Sequence, residues 1–489
     1  MKKLVLLVIV GMLVAGCQKP PEEQTQKEKE KEKACDSNKG AKMTDVATSG
    51  SPDTIQFAVA WSSCPGGAAS AAEKATTAAI EAVGGKAKAV VFYTYYQEAD
   101  FKPDEKSQAT ACKPDVKAED LVAATVNKTC AGVPNIGCRA RCLTNGGTLL
   151  KNAVAVLAVG GAKASVAAGK VAIQDDRLAT GKGVAAAVKD VKDLKLILAL
   201  AEMRLSFETK EGVSVEDFIK GALGDSTKGT TLFGGNSMPD DMTTGDLWGK
   251  QFFNGEALKG HVVALGIGGP IANFGNHANE FTPSTKTAEV TKVSGKWIVE
   301  LDGKPAEGVY RELTGMKAED ELTSDWLHPI GVDLGGGKNY TRMVLNWVKD
   351  GKDKDKKDVD VPAGSLAFVA PIVKGTKIFC LACEKKPEPI IESSKGAVTE
   401  SVAAAKAASA EPALMMLSNC CARGMRLRTF REGNDDEVKE AILPALGKGV
   451  PVFGFYAWGE LGRIQGDYQG MDHQYQQHTF VSNMVGITK

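Results

Sequence analysis

Three short segments of the 489-residue chain hold side chains whose chemistry could recognise a small molecule. In SNCCARG, Ser418 to Gly424, an apolar run that reads as a buried strand gives way to a turn presenting Cys420 and Arg423. That places both at the C-terminal edge of a sheet, a common place for ligand contacts in α/β folds. Arg423 offers a bidentate fork to a carboxylate. It could instead pair with a buried acid such as Glu460, with Cys420 then a packed small residue or half of a disulfide. Cys420 and Cys421 are adjacent on an extended chain, so at most one of them faces the arginine's partner. In GFYAWGE, Phe455 and Ala457 alternate with Tyr456 and Trp458, and Glu460 follows. Ring faces beside one carboxylate suit a small cationic or zwitterionic ligand, and the competing reading is aromatic core. In GGNSMPDD, Gly234 and Gly235 permit close backbone approach, while Asn236, Ser237 and Asp240 supply donors and acceptors. A phosphate cradle finds no support: the chain has no G-x-x-x-x-G-K-[ST], and the carboxylates would repel phosphate.

Cys380 and Cys383 have the C-x-x-C spacing of redox pairs and of half a zinc site. No second C-x-x-C completes a tetrahedral set and no helix start follows to lower a thiol pKa, so a structural disulfide is the reading preferred here. His277, His328, His473 and His478 are the histidines considered as haem ligands, without a covalent attachment motif. Nothing resembles G-x-S-x-G or H-E-x-x-H, so hydrolase chemistry has no positive support.

Short apolar runs bounded by glycines must position these groups. TIQFAVAW, AASAAEKATTAAIEAVGG and AKAVVFYTYY predict a β-α-β opening. AVAVLAVGG, KLILALAEM, HVVALGIGG and KWIVELDGKPA predict further strands, and KDGKDKDKKDVDVPAG a charged hairpin tip. In the last third, helices at GAVTESVAAAKAASA and DDEVKEAILPALG alternate with strands at PALMMLSNC and VPVFGFYAWGE. The pattern is α/β to α+β, in two related layered domains of mixed sheets flanked by helices. Sixty basic and sixty acidic residues cancel, so no global field draws the chain to nucleic acid.

The first residues, MKKLVLLVIVGMLVAGC, have the order of a signal peptide, with an apolar run that stops well short of the ~20 residues a bilayer span needs. Val14-Ala15-Gly16-Cys17 resembles the lipobox of bacterial lipoproteins, which implies lipidation at Cys17. Residues 18–53 are polar and charged and are expected to form a disordered tether. Once Cys17 is assigned to lipid, ten of the eleven cysteines remain. In an oxidising compartment that number fits up to five disulfides, with at least two expected.

The order GGNSMPDD, QFFNGEALKGHVVALGIGG, VTKVSGKWIVELDGKPAEGVY, HPIGV, SNCCARG and GFYAWGELG resembles the paired FIST N and FIST C domains. The resemblance implies a small-ligand-sensing module of bacterial signal transduction, with amino acids as proposed ligands and haem in some relatives. It places Gly234 and Gly235 at the family's double glycine and Arg342 after the His-Pro segment. Cys420 and Arg423 fall at a Cys-x-x-Arg, Gly454, Phe455, Tyr456, Gly459 and Glu460 at a Gly-Phe-Tyr-x-x-Gly-Glu, and Thr479 at a late threonine. Gly137-Cys138 departs from the family by the RARCLTNGG that follows it, which puts ligand contact on that loop in doubt.

The expectation is therefore a signal peptide at residues 1–17, a tether at 18–53, a FIST N-like domain at 54–303, a FIST C-like domain at 304–475 and a tail at 476–489. Lipid would hold it in the outer membrane, facing the periplasm or cell surface. It would bind a small ligand through Arg423, Tyr456, Glu460, Asn236, Arg342, Cys420, Gly234 and Gly235, with no cofactor, no metal, no catalysis and a separate membrane protein as signalling partner. The rival readings are a haem or nitric-oxide sensor and a thiol enzyme using Cys420 or Cys380 and Cys383.

Overall fold

The computed structural model describes residues 42–489 except 44–45, 65–66, 97–114, 150–151, 208–213, 225–228, 242–245, 321, 323–327, 336–337, 355, 369–371, 383, 385, 432–435, 469–470 and 478. The signal peptide, Cys17, most of the expected tether and Cys383 lie outside the described residues. Mixed sheets flanked by helices make up the fold, as the alternation of apolar runs and helical segments predicts.

The opening β-α-β is present as Gln56–Ser63, a helix at Ala68–Ala82 and Ala89–Tyr95. Alanines 71, 72, 75 and 79 form the helix's buried face, and their small side chains let it lie close on the sheet. The two strands are not neighbours. Ala153–Gly160 runs between them, antiparallel to both and buried along its whole length. A strand covered on both faces reads as a continuous apolar run, which is what AVAVLAVG is.

Two six-stranded sheets each combine strands from both halves of the chain. In one, Leu194–Ala201 and Thr231–Asn236 pair in parallel, and Glu460–Tyr468 with Met471–Gln476 extends the edge. In the other, Glu411–Cys420 and Val452–Ala457 pair in parallel, joined by Ile271–Ala278 and Phe480–Ile487 on one side and Cys142–Thr144 on the other. One hydrophobic cluster lies among these sheets and the first, from Ile55 and Leu157 through Leu198 and Phe233 to Met416, Phe455 and Val485. A nine-stranded sheet built from residues 282–382 has its own core around Val290, Tyr310, Ile330 and Tyr340. The charged KDGKDKDKKD segment is a hairpin tip, Val344–Lys349 turning back through Lys352–Asp353.

This architecture corrects several expectations. The tether ends early: Lys42–Met43 and Ala47–Gly50 both pair with Gln56–Ser63, alternate residues of Ala47–Gly50 being half-buried. The C-terminal stretch is no tail, for Phe480–Ile487 is paired on both sides and buried up to its last residue. No disulfide joins Cys64, Cys130, Cys138, Cys142, Cys380, Cys420 or Cys421, so the expected two or more disulfides are not formed among the described residues. Most of these thiols sit among apolar side chains, where cysteine serves as a small hydrophobe; burial pushes Cys142 up to about 12. No helix among the described residues is long and apolar enough to cross a membrane.

Candidate functional site

Nine elements surround the candidate residues other than Arg342, which ends the strand Lys338–Arg342. In chain order they are β1 (Leu194–Ala201), β2 (Thr231–Asn236), α1 (Glu388–Ala407), β3 (Glu411–Cys420), α2 (Cys421–Phe430), β4 (Val452–Ala457), β5 (Glu460–Tyr468), β6 (Met471–Gln476) and β7 (Phe480–Ile487). The parallel pairs β1–β2 and β3–β4 belong to different sheets, and their C-terminal ends meet. The chain passes from one sheet to the other through Trp458 and Gly459, which link β4 to β5.

Asn236 fastens this crossing. Its backbone N–H donates to the Gly459 carbonyl at 3.0 Å, its carbonyl accepts from the Trp458 N–H at 3.1 Å, and its Nδ2 donates to the Trp458 carbonyl at 3.1 Å. The last bond fixes the amide orientation and leaves Oδ1 as a buried acceptor without a partner. Gly235 lies opposite Glu460, and Glu460 opposite Gln476. Directly paired residues on antiparallel strands project to the same face. A Cβ on Gly235 would lie 2.6 Å from the Gly459 carbonyl oxygen and 3.0 Å from Ser418 Oγ, and the φ of +154° itself favours glycine. The missing side chain is what lets Ser418 approach the face shared by Glu460 and Gln476.

Glu460 is fully buried, accepting from the Gly459 N–H at 3.2 Å and the Thr479 N–H at 3.3 Å. Cys420 lies within hydrogen-bonding reach of its carboxyl. Among the described residues no arginine, lysine or histidine pairs with it. Burial, with Cys420 as a smaller contribution, holds the carboxyl well above the usual carboxylate range. Ser418 Oγ, both amide atoms of Gln476 and Trp458 Nε1 are buried polar atoms without partners in the same crossing. Buried polar groups are ordinarily hydrogen-bonded, so such a concentration calls for an explanation.

The arginines face elsewhere. Arg423 Nε donates to Asn419 Oδ1 at 3.1 Å, Nη2 to Ser394 Oγ at 2.7 Å and Glu437 Oε1 at 3.2 Å, and Nη1 to Glu280. Arg426 pairs with the other oxygen of Glu280, and burial lowers its pKa to about 9. Of the two readings of Arg423, the geometry has it paired with buried acids, but these are Glu280 and Glu437 and not Glu460. Arg342 is likewise enclosed. It donates to Gln474 Oε1 at 3.0 Å and the Tyr475 carbonyl at 2.8 Å, pairs with Glu216 and lies over the Tyr340 ring. Tyr456 packs among Met415, Leu417 and Met484, and Phe455 stacks near Tyr93, so these rings serve the core. Gly234 and Gly235 form the end of β2, and Cys420 ends β3 as the residue before α2. The crossing thus unites Asn236, Gly235, Cys420 and Glu460 of the candidates, while Arg423, Arg342 and Tyr456 are engaged around it.

Other motifs resolve into scaffold. His277 Nε2 meets the Asn339 carbonyl at 2.9 Å. His473 accepts the Leu232 N–H on Nε2 and meets Asp472 on Nδ1 at 2.6 Å, so its ring nitrogens are both engaged. His478 lies outside the described residues. Cys138 is buried beside Arg139, whose Nε donates to Glu119 at 2.7 Å. Ser418, Gln476, Glu280 and Glu437 are the participants that sequence reading did not single out. Ser418 stood inside a quoted motif, but Gln476 joins the group only through its cross-strand register with Glu460.

Residues 109–304 match the family model of the FIST N domain, and residues 306–463 that of the FIST C domain. An uncharacterized protein of Methanocaldococcus jannaschii is 25% identical over 207 residues, which span 39% of this chain and 36% of that protein. Among solved structures, a cyanuric acid hydrolase from A. caulinodans is similar at a TM-score of 0.26 and 12% identity, over 45% of this chain and 72% of the other. T. maritima PurL in complex with FGAR is similar at a TM-score of 0.21 and 12% identity, over 90% of this chain and 74% of the other. At these TM-scores neither likeness extends to a shared overall fold.

Proposed function

Because the chain carries a FIST N domain followed by a FIST C domain, and such domains are associated with small-ligand sensing and signal transduction, we propose that it is a small-ligand-binding sensory protein. Its ligand site is the crossing where Trp458 and Gly459 carry the chain between sheets. In this reading it is an exported lipoprotein anchored through Cys17, facing the periplasm or cell surface, that passes its signal to a separate membrane protein. The observation that carries the ligand reading is the group of buried, unpartnered polar atoms at that crossing: Asn236 Oδ1, Ser418 Oγ, Trp458 Nε1 and the Gln476 amide. An amide or hydroxyl buried without a partner costs roughly 1–3 kcal/mol by the measure of protein mutations. A ligand that supplies the missing partners recovers that cost, which gives the bound state an advantage the empty state lacks.

The residues in the proposed site act by hydrogen bonding, and no reaction is assigned to them. Asn236 holds the crossing in place, Gly235 lets Ser418 approach it, and Glu460 with Gln476 supplies polar contacts from neighbouring strands. Mass spectrometry of small molecules released from the purified, folded protein tests the reading directly. The expected result is a stoichiometric small metabolite, recovered in lower yield from Asn236→Ala protein. An empty preparation, with no thermal shift across a metabolite panel, would overturn it. Retention of a signal-peptide-bearing chain at the membrane, lost in Cys17→Ser, is the matching test of anchoring.

A further inference from the structure

We propose that the crossing receives the ammonium group of a small amine, with Glu460 as its counter-ion and Ser418 Oγ and the Gln476 amide oxygen as further acceptors. This rests on the reading of the crossing as a ligand site and goes beyond it by naming the chemistry of the bound group.

The first observation is a mismatch of charge. Glu460 is fully buried on β5, yet no basic side chain among the described residues pairs with it, whereas Glu280 and Glu437 close by are answered by Arg423 and Arg426. A buried carboxylate needs a partner charge, and here the protein supplies none. The second is the inventory of free hydrogen-bonding atoms. An ammonium group has three donors and no acceptor. Ser418 Oγ and Gln476 Oε1 are buried and unpartnered, Gln476 is in register with Glu460, and Ser418 approaches the same face above Gly235. With the carboxylate they provide three acceptors. The third concerns the rest of the ligand. Arg423 and Arg342 are both engaged by protein acids and carbonyls, so no guanidinium remains at the crossing for a ligand carboxylate. The ligand class is therefore a small amine for which an α-carboxylate is not required.

Without ligand, burial holds the Glu460 carboxyl well above the usual carboxylate range and so favours its protonated form. Among the described residues, the groups facing it are Gly235 on β2, Cys420 on β3, Gln476 on β6 and the Thr479 backbone ahead of β7, of which only Cys420 titrates. Binding of an ammonium stabilises the carboxylate, so the carboxyl proton leaves to solvent as the ion pair forms. One proton is released for each amine bound.

The test is calorimetric titration of the full chain, purified and stripped of co-purifying metabolites, with ethanolamine, putrescine and alanine and with the N-acetylated form of each. Titrations in two buffers of different ionisation enthalpy count the protons. The expected result is binding of at least one amine with release of about one proton, at least tenfold weaker binding of its N-acetylated form, and at least tenfold loss in Glu460→Gln. If that variant does not fold, Ser418→Ala is expected to weaken the amine severalfold while leaving the acetylated form unchanged. Equal binding of amine and acetylated forms, or undiminished amine binding in Glu460→Gln, overturns the ammonium assignment while leaving the crossing a ligand site. No amine binding, together with no co-purifying metabolite, overturns both.

Discussion

Two groups of buried acids lie at either side of Cys420 and are built in opposite ways. Behind β3, Glu280 and Glu437 are enclosed by Arg423, Arg426, Asn419 and Ser394, and every oxygen has a partner. At the crossing, Glu460 has two backbone N–H groups and a thiol but, among the described residues, no cation. The first arrangement satisfies itself and serves to fix the strand-to-helix junction at β3 and α2. The second is left incomplete by the protein. Burial alone therefore does not distinguish a structural charge from a functional one; the presence of its complement does.

The largest effect expected from this contrast follows removal of the complement. Arg423→Met leaves Glu280 and Glu437 short of their main partner and should cost about 3–5 kcal/mol, the usual range when one member of a buried ion pair is lost. Urea denaturation measures it, and a loss below 1 kcal/mol would remove the structural role given to the arginine. Next, Gly235→Ala forces a side chain into an unfavourable φ and against the Gly459 carbonyl, with an expected cost of about 1–3 kcal/mol from the backbone alone. Unchanged stability there would show that the crossing is not as closely packed as described.

The pH dependence of Glu460→Gln sharpens the contrast further. The folded-state pKa of Glu460 is raised, so over the window above the unfolded value of about 4.3 the native state holds a proton that the unfolded chain has lost. Wild-type stability then falls as pH rises through that window, by about 1.4 kcal/mol per unit, until the folded carboxyl ionises. The glutamine variant does not titrate and should gain on the wild type at that rate. A stability difference independent of pH between 5 and 7 would contradict a protonated Glu460. The smallest expected effect compares two serines. Ser394→Ala removes a hydroxyl bonded to Arg423 and Glu437 and should cost about 1–2 kcal/mol, whereas Ser418→Ala removes one without a partner and should be neutral or stabilising by about 1 kcal/mol. Equal costs in parallel denaturation curves would erase the distinction between the two regions.

Much of this was legible from residue order. Runs such as AVAVLAVG and LILALA are apolar at every position, and the structure buries them as central strands. The FIST-like motifs likewise led to the edge where β2, β3 and β5 meet. What residue order did not show was pairing over long separations. Arg423 and Glu460 are close in sequence, which makes them natural partners, but Glu280 reaches the arginine from 143 positions away. The tail reading of residues 476–489 failed for a related reason. FVSNMVGI carries polar residues that look solvated, whereas Ser482 and Asn483 hydrogen-bond to Ser401 and Asn273 inside the fold. The tether ended early because ATSG is too short and polar to register as a strand, yet an adjacent strand supplies its backbone bonds.

The position of β7 also bears on how the molecule assembles. Its pairings join Ile487 to both Ile271 and Glu411, so the centre of a sheet waits for a strand far along the chain from Ile271. Contacts of such long separation slow folding, and until they form the two flanking strands present open edges. The sheet therefore stays incomplete until Phe480–Ile487 is in place, and a deletion of these eight residues should yield aggregation in place of a smaller folded protein.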